Sequence, residues 1–215
     1  MRHHIEFFRQ FRSRFETTGA IAPSSRFLAN AMTRPLRDAE KPVRVLEVGP
    51  GTGAVTSRIV ELLGPNDHLD LVELNESFAD ILRQRFDSEK RYQAVADQAA
   101  IHVCALQEFH AEDEYDFIIS GLPLNNFPTE LVQEIFAAYF RLLKPGGVLS
   151  YFEYMYVRPI RTRVGKASER LRMQALTDVL AEYLSRHRFD TDWVFANLPP
   201  AWVQHLRNDD VAAAE

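Results

Sequence analysis

The residues best suited to chemistry stand together in one short stretch, 47–53, with the sequence EVGPGTG. An apolar run typical of a buried strand precedes it, and apolar residues at helical spacing follow it. A strand, a glycine-rich turn and a helix N-terminus form a cradle in which backbone approaches a ligand closely. A second apolar run ends at Glu73, where a carboxylate can accept hydrogen bonds from both hydroxyls of a ribose. This spacing predicts a site for a nucleoside-containing cofactor.

Two classes of cofactor fit this stretch. Gly49, Gly51 and Ala54 match the dinucleotide pattern G-x-G-x-x-G/A, which is a weak signal on its own. Glu47 favours S-adenosylmethionine, because a carboxylate at that position would crowd a pyrophosphate but suits the cationic methionine end. The predicted cofactor-binding residues of this region are Glu47, Gly49, Gly51, Gly53, Glu73 and Leu74.

The elements that must position these residues alternate between strand and helix. The expected strands are 43–48, 69–73, 101–105, 115–120, 148–156 and two short ones near 193–196 and 202–206; the expected helices are 54–63, 76–86, 130–143 and 171–184. Such alternation predicts an α/β, Rossmann-like fold with a mostly parallel seven-stranded sheet and helices on both faces. Ligands of these sheets bind at the carboxyl ends of the strands. We expect an N-terminal helical arm over 1–40 and one domain over 41–215.

The arm carries a basic, aromatic segment. Phe7, Phe8, Phe11 and Phe15 follow helical spacing, with arginines off that stripe. A helix of this kind can lie in a membrane interface, or it can pack on the protein as a lid; both interpretations stay open. A capped helix follows, with Ser24 or Ser25 as its N-cap.

A second loop follows the fourth strand, 120–128, with the sequence SGLPLNNFP. It lies at the predicted ligand-binding edge. If the cofactor is S-adenosylmethionine, as Glu47 favours, a methyl acceptor is expected there. Methyltransferases that act on adenine carry N-L-P-Y or D-P-P-Y there; Ser120 and Leu124 replace the leading polar residue and the aromatic ring, which argues against a nucleobase. The candidate catalytic residues are Ser120 and Asn125, which would orient the acceptor, and Glu153, Tyr154 or Tyr156, any one of which could accept its proton. Glu153 and Tyr154 could equally serve only to pack the strand.

Four stretches together, TTGAIAPSSRFLA, EVGPGTG, SGLPLNNFP and NLPPAWV, resemble the bacterial phospholipid N-methyltransferase family. That family belongs to the class I S-adenosylmethionine-dependent methyltransferases and is related to the ribosomal RNA adenine dimethyltransferases. The resemblance implies methylation of phosphatidylethanolamine toward phosphatidylcholine, and binding to anionic membrane on the cytoplasmic side of the inner membrane. An ornithine lipid is equally compatible. It also implies cofactor contacts from Gly19, Ser24, Leu106, Gln107 and Ser120; no acid stands at 105–107, where the family often has one.

Composition limits the other classes of function. The net charge of −5 offers no field attractive to nucleic acid, and the single cysteine excludes an intramolecular disulfide. The histidines show no metal-ligand spacing, so we expect no metal, and no apolar run is long enough to span a membrane. The segment 158–172 has a local charge of about +5 and suits either an anionic surface or a solvated helix start. RNA and small soluble amines remain alternative acceptors.

Overall fold

The computed structural model describes residues 25–155 and 167–209, and within them seven strands form one sheet. The strands are β1 Arg44–Val48, β2 His68–Val72, β3 Ala99–His102, β4 Tyr115–Ser120, β5 Leu143–Tyr154, β6 Arg188–Val194 and β7 Ala201–Arg207. Their order is β3-β2-β1-β4-β5-β7-β6. The first five pair in parallel, whereas β7 runs antiparallel to β5 and β6. The prediction of a mostly parallel, seven-stranded sheet is confirmed.

Helices connect the parallel strands and cover the sheet. They are α1 Arg26–Met32, α2 Arg34–Arg37, α3 Thr56–Leu62, α4 Glu76–Ser88, α5 Lys90–Gln93, α6 Thr129–Leu142 and α7 Ala167–His187. The chain order reverses between β1 and β4, which makes a crevice at the carboxyl ends of the two strands. Ligands of doubly wound sheets bind in such a crevice.

Two hydrophobic cores lie on opposite faces of the sheet, because neighbouring residues of a strand point to opposite sides. Leu46 and Ile118 join α6 and α7 on one face, where Phe136 is fully buried. Val45 and Ile119 join α1 and α3 on the other face. Burial of a side chain such as Phe136 contributes about 1.5–3 kcal/mol, so helices on both faces hold the strand ends in place.

Several boundaries differ from those predicted; the sixth strand, for example, was expected near 193–196 and lies at Arg188–Val194. The third strand lies at Ala99–His102, two residues before its predicted start, because Val72 pairs with His102 and the chain then turns through Leu106–Glu108. The fifth strand begins at Leu143, directly after α6, and contains the proline-glycine segment that was predicted only to end the helix. The helix predicted over 171–184 extends from Ala167 to His187.

The start of the described chain packs onto the sheet. Ser25 is the N-cap of α1, since its hydroxyl accepts a hydrogen bond from the Leu28 N–H at 3.2 Å. Leu28, Met32 and Leu36 are fully buried. The predicted aromatic helix, Gly19 and Ser24 lie outside the described residues. Over 25–155 and 167–209, no helix combines the length and the apolar character needed to cross a bilayer.

Candidate active site

The glycine-rich turn connects the ends of three strands. Gly49, Gly51 and Gly53 have φ of 68°, 59° and 84°, in the left-handed region that glycine adopts without strain. The Gly49 N–H donates to the Val72 carbonyl at 2.9 Å, and the Gly121 N–H donates to the Val48 carbonyl at 2.8 Å. The ends of β1, β2 and β4 are therefore joined at one point by backbone hydrogen bonds.

The loop after β4 packs directly against this turn. A Cβ atom at Gly49 would lie 2.6 Å from Cδ2 of Leu122, and one at Gly121 would lie 2.7 Å from the Gly49 carbonyl oxygen. Real Cβ atoms essentially never approach another atom to within 3.0 Å. The Leu122 methyl group could move aside, whereas the Gly49 carbonyl is part of the backbone. The structure thus brings together the two stretches that the sequence assigned to the cofactor and to the methyl acceptor.

Glu73 is buried and is held by backbone N–H groups. One carboxylate oxygen accepts a hydrogen bond from Gly51 at 3.0 Å and the other accepts one from Asn75 at 2.9 Å. Asn75 also caps α4 by accepting a hydrogen bond from Ser77. The acid that was predicted to bind a ribose is therefore fixed relative to the glycine turn, and Leu74 follows it at the same edge.

Glu47 is a buried acid beside the turn, with 1% of its surface exposed. The pKa of Glu47 is raised to about 8, mainly because burial removes water from the carboxylate and to a smaller extent because Glu73 is nearby. Its Oε2 atom has no hydrogen-bond partner within the described part of the chain. A buried acceptor left unpaired costs about 1–3 kcal/mol, so this position fits a cationic N–H donor such as the ammonium group of S-adenosylmethionine.

A brace from α4 and α5 holds the turn, and sequence analysis missed it. Arg85 donates from Nη1 to the carbonyls of Thr52, at 2.8 Å, and Gly53, at 3.0 Å. The Tyr92 hydroxyl donates to the same Gly53 carbonyl at 3.2 Å, and the Arg85 guanidinium lies 4.6 Å from the Tyr92 ring centroid. Glu89 accepts from Arg85 Nε at 2.7 Å and fixes the guanidinium. Only the i,i+4 pair of Arg85 and Glu89 is visible in the sequence, and it does not indicate the distant glycine turn.

The remaining predicted cofactor residues lie beyond β3. Leu106 is buried in the core on the α6 and α7 face, and Gln107 is partly exposed in the turn Leu106–Glu108. This turn follows the carboxyl end of β3, so both residues are at the predicted edge of the sheet. Their contact with a cofactor stays a prediction.

Ser120 faces the interior. Its hydroxyl shares a hydrogen bond of 2.5 Å with the hydroxyl of Tyr139 in α6 and accepts one from the Leu122 N–H at 3.3 Å. Both hydroxyls are fully buried, and burial raises the pKa of Tyr139. The Ser120 side chain therefore shapes the loop, and its predicted contact with an acceptor or a cofactor stays untested.

Asn125 lies in the buried turn Leu124–Asn126, which α7 holds from outside. Arg172 donates to the backbone carbonyls of Phe127, at 2.7 Å, and Asn125, at 3.3 Å, and pairs with Glu169. Of the predicted basic segment, Arg172 thus supports the loop, Arg170 is exposed, and 158–166 lies outside the described residues.

Glu153 and Tyr154 point to opposite faces of β5. Glu153 is buried beside Tyr151, whose hydroxyl donates to it at 3.4 Å, whereas Tyr154 packs against Phe152 on the α1 face at a ring distance of 5.2 Å. Burial raises the pKa of Tyr154. Because consecutive strand residues point to opposite faces, an acceptor on one side of the sheet would meet only one of these two candidates. Which of them accepts a proton stays a prediction, and the third candidate, Tyr156, lies outside the described residues. Glu153 and Tyr154 extend past the end of β4, since Ser120 pairs with Tyr151.

Within the described part, no group of three or more histidine, cysteine or acidic side chains could hold a metal ion. The candidate site consists of the carboxylates of Glu47 and Glu73, the backbone of the glycine turn and the uncharged loop after β4.

Comparison with known proteins gives three findings. The family described as "Methyltransferase domain" matches residues 45–147. An ornithine lipid N-methyltransferase of Singulisphaera acidiphila is 31% identical over 136 residues, which are 63% of this chain and 70% of that protein. The ubiquinone/menaquinone biosynthesis C-methyltransferase UbiE of Methylobacterium nodulans is 24% identical over 155 residues, which span 71% of this chain and 59% of that protein.

Among solved structures, an O-methyltransferase from Bacillus cereus in complex with SAH superposes with a TM-score of 0.63. The match covers 95% of this chain and 90% of the other at 14% identity. A likeness at that identity concerns the fold alone.

Proposed function

The chain belongs to the class I S-adenosylmethionine-dependent methyltransferase family, and we propose that its methyl acceptor is the amine of a membrane lipid. The observation that carries the proposal is the loop after β4, which contacts the glycine turn and has no charged residue over 117–129. Leu122, Leu124 and Phe127 are buried in it. It has no aromatic ring at the position of Leu124 to hold a base, and a net charge of −5 disfavours nucleic acid.

The residues fit S-adenosylmethionine, which supplies an electrophilic methyl group when it is bound. Glu47 would pair its carboxylate with the ammonium group, and the left-handed Gly49 and Gly51 let the backbone approach closely. Glu73, held by Gly51 and Asn75, would accept hydrogen bonds from ribose hydroxyls.

The acceptor amine must be neutral and aligned before it can attack. Catalysis is then mainly positioning and exclusion of water, and the buried loop supplies both. Desolvation disfavours the charged ammonium form of the acceptor. The pKa of the amine therefore falls, and more of it is neutral. Glu153 is our candidate for the proton acceptor, since it is 2% exposed at the end of β5, and Asn125 is our candidate for orienting the amine.

Two lipid amines fit this site. The family resemblance of the sequence favours phosphatidylethanolamine. The relative that is 31% identical acts on an ornithine lipid by its name, which supports that lipid as the second candidate. Both present a primary amine at a bilayer surface, and the described residues are compatible with either.

The test is methyl transfer from labelled S-adenosylmethionine to vesicles that contain phosphatidylethanolamine, ornithine lipid or neither, followed by lipid separation. We expect labelled mono-, di- or trimethylated lipid from one of the first two preparations. A matched Glu73→Gln variant should bind the cofactor weakly and label little. Full cofactor binding without any labelled lipid would contradict the proposal.

A further inference from the structure

The end of β6 and the turn that follows it carry an apolar projection with no role in the site described so far. Trp193, Phe195 and Leu198, here called the aromatic tip, are 60%, 65% and 82% exposed. They stand in the stretch 193–204, which contains no charged residue in a chain that is 26% charged. Large apolar side chains exposed together usually mark a contact surface.

Several backbone polar groups around the aromatic tip already have hydrogen-bond partners within the protein. Asn197 donates from its side chain to the Pro199 carbonyl at 2.7 Å and from its N–H to the Val194 carbonyl at 3.4 Å. The Pro200 carbonyl accepts from Met155 at 2.8 Å, and the two prolines have no N–H to satisfy. Unpaired backbone groups are what makes loops costly in lipid, and here several are already paired.

The aromatic tip adjoins the proposed acceptor region. The Asn197 side chain accepts a hydrogen bond from the N–H of Ser25, the N-cap of α1, at 3.2 Å. The Trp193 ring lies edge-on to Trp202, with centroids 5.7 Å apart, and Trp202 pairs with Glu153 across β5 and β7. Trp193 therefore contacts the residue that pairs with the candidate proton acceptor across the sheet.

We propose that the aromatic tip inserts into the interface of a lipid bilayer and presents the lipid amine to the carboxyl edge of the sheet. The inference rests on the proposed function, because it supplies a route for a bilayer lipid to that site. Tryptophan is enriched at the headgroup level of a bilayer. Phenylalanine and leucine are among the side chains that interfacial segments bury at the boundary between headgroups and acyl chains. Pairing with a second copy through β6 is disfavoured, since Asp190 and Asp192 charge that edge and bind Arg34.

The experiment uses tryptophan fluorescence, because the chain has only two tryptophans. The Trp202→Phe variant keeps Trp193 as the single reporter. It is mixed with vesicles of phosphatidylcholine, phosphatidylethanolamine and phosphatidylglycerol, with or without dibrominated acyl chains. We expect a blue shift and quenching by the brominated lipid. Sedimentation with vesicles but no quenching, or no sedimentation at all, would overturn the proposal.

A pair of matched variants tests the side chains themselves. Phe195→Ser/Leu198→Ser removes two apolar groups from the aromatic tip, and Ile81→Ser/Val103→Ser removes two exposed ones near the opposite end of the sheet. We expect at least a tenfold loss of vesicle affinity in the first pair only, with methyl transfer to lipid amine in detergent micelles unchanged. The contrary result would be a wild-type protein that forms a dimer, and a first pair of substitutions that abolishes the dimer without changing vesicle affinity. The aromatic tip would then be a contact with a second copy of the chain, which would overturn the proposal.

The two proposals fail separately. Quenching of Trp193 needs no methyl transfer. Insertion without any labelled lipid would therefore refute the lipid acceptor and support the insertion of the aromatic tip. Labelled lipid without quenching of Trp193 would refute the insertion of the aromatic tip and support the lipid acceptor.

Discussion

The cofactor region and the acceptor region of this edge are built in different ways. Around Gly49 and Gly51, positive φ angles and backbone N–H groups make the cradle, and one carboxylate, Glu73, is held by the backbone itself. Around Ser120 and Glu153, buried side chains from separate elements set the geometry. A backbone cradle tolerates few substitutions, whereas a packed surface can be altered to take another acceptor. One family can therefore share a cofactor and differ in substrate.

The largest effect is expected at Gly49. Gly49→Ala forces a non-glycine residue to a φ of 68° and places its Cβ 2.6 Å from Leu122. We expect S-adenosylhomocysteine affinity, measured by calorimetry, to fall roughly 100-fold, or about 2.7 kcal/mol. Gly146→Ala is the control, because Gly146 has a φ of 79° but nothing within 4 Å of its Cβ. It should lose about 1–2 kcal/mol of stability and bind normally. If Gly49→Ala and Gly146→Ala lost cofactor affinity equally, the loss would come from backbone strain in the whole protein and not from the cradle.

Glu47 gives the next effect. With its pKa near 8, the side chain is mostly protonated at pH 7 in the free protein. A bound ammonium favours the carboxylate, so binding at pH 7 should release up to about one proton and should strengthen up to tenfold per pH unit until about pH 8. Calorimetry in buffers of different ionisation enthalpy measures this. Glu47→Gln should abolish it, and no proton release in the wild type would refute the assignment.

The same raised pKa affects the stability of the free protein. Burial raises the folded-state pKa of Glu47 from 4.5 to about 8, so its contribution is full below pH 4.5. That contribution is lost as the pH rises to 8, and Glu47→Gln should flatten this part of the stability profile in urea titrations.

A smaller effect is expected at the brace. Arg85→Met removes the donors to the Thr52 and Gly53 carbonyls and should weaken cofactor affinity roughly fivefold, about 1 kcal/mol. Arg83→Met, on the same helix, breaks only exposed ion pairs with Glu76 and Asp80 and should leave affinity unchanged. If Arg85→Met lowered the melting temperature but kept wild-type cofactor affinity, the brace would stabilise the fold without contributing to cofactor binding.

The smallest effect is expected in the acceptor region. Tyr139→Phe removes the hydrogen bond to Ser120 and should lower the free energy of unfolding by about 1 kcal/mol, measured in urea. Cofactor affinity should stay within twofold, since the cradle does not use this hydroxyl. A tenfold loss of affinity would mean that the two regions are coupled through Ser120.

The same contrast explains how far the sequence could predict the structure. The EVGPGTG turn and Glu73 are local signals, so the mostly parallel seven-stranded sheet agrees with expectation, and Glu73 lies beside the glycine turn. Arg85 lies 32 residues from Gly53, and nothing local connects them. Likewise, the sequence offers Glu153 and Tyr154 equally as proton acceptors, and it is the packing of β5 that shows which face of the sheet each side chain occupies.

The most direct measurement offers every acceptor class at once. Vesicles containing phosphatidylethanolamine and ornithine lipid are mixed with free ethanolamine, ornithine and total RNA, and the labelled products of S-adenosylmethionine are identified by mass spectrometry. We expect the label on lipid amine nitrogen, with free amines and RNA unlabelled. Label found only on RNA or on a free amine would contradict the assignment of a lipid acceptor.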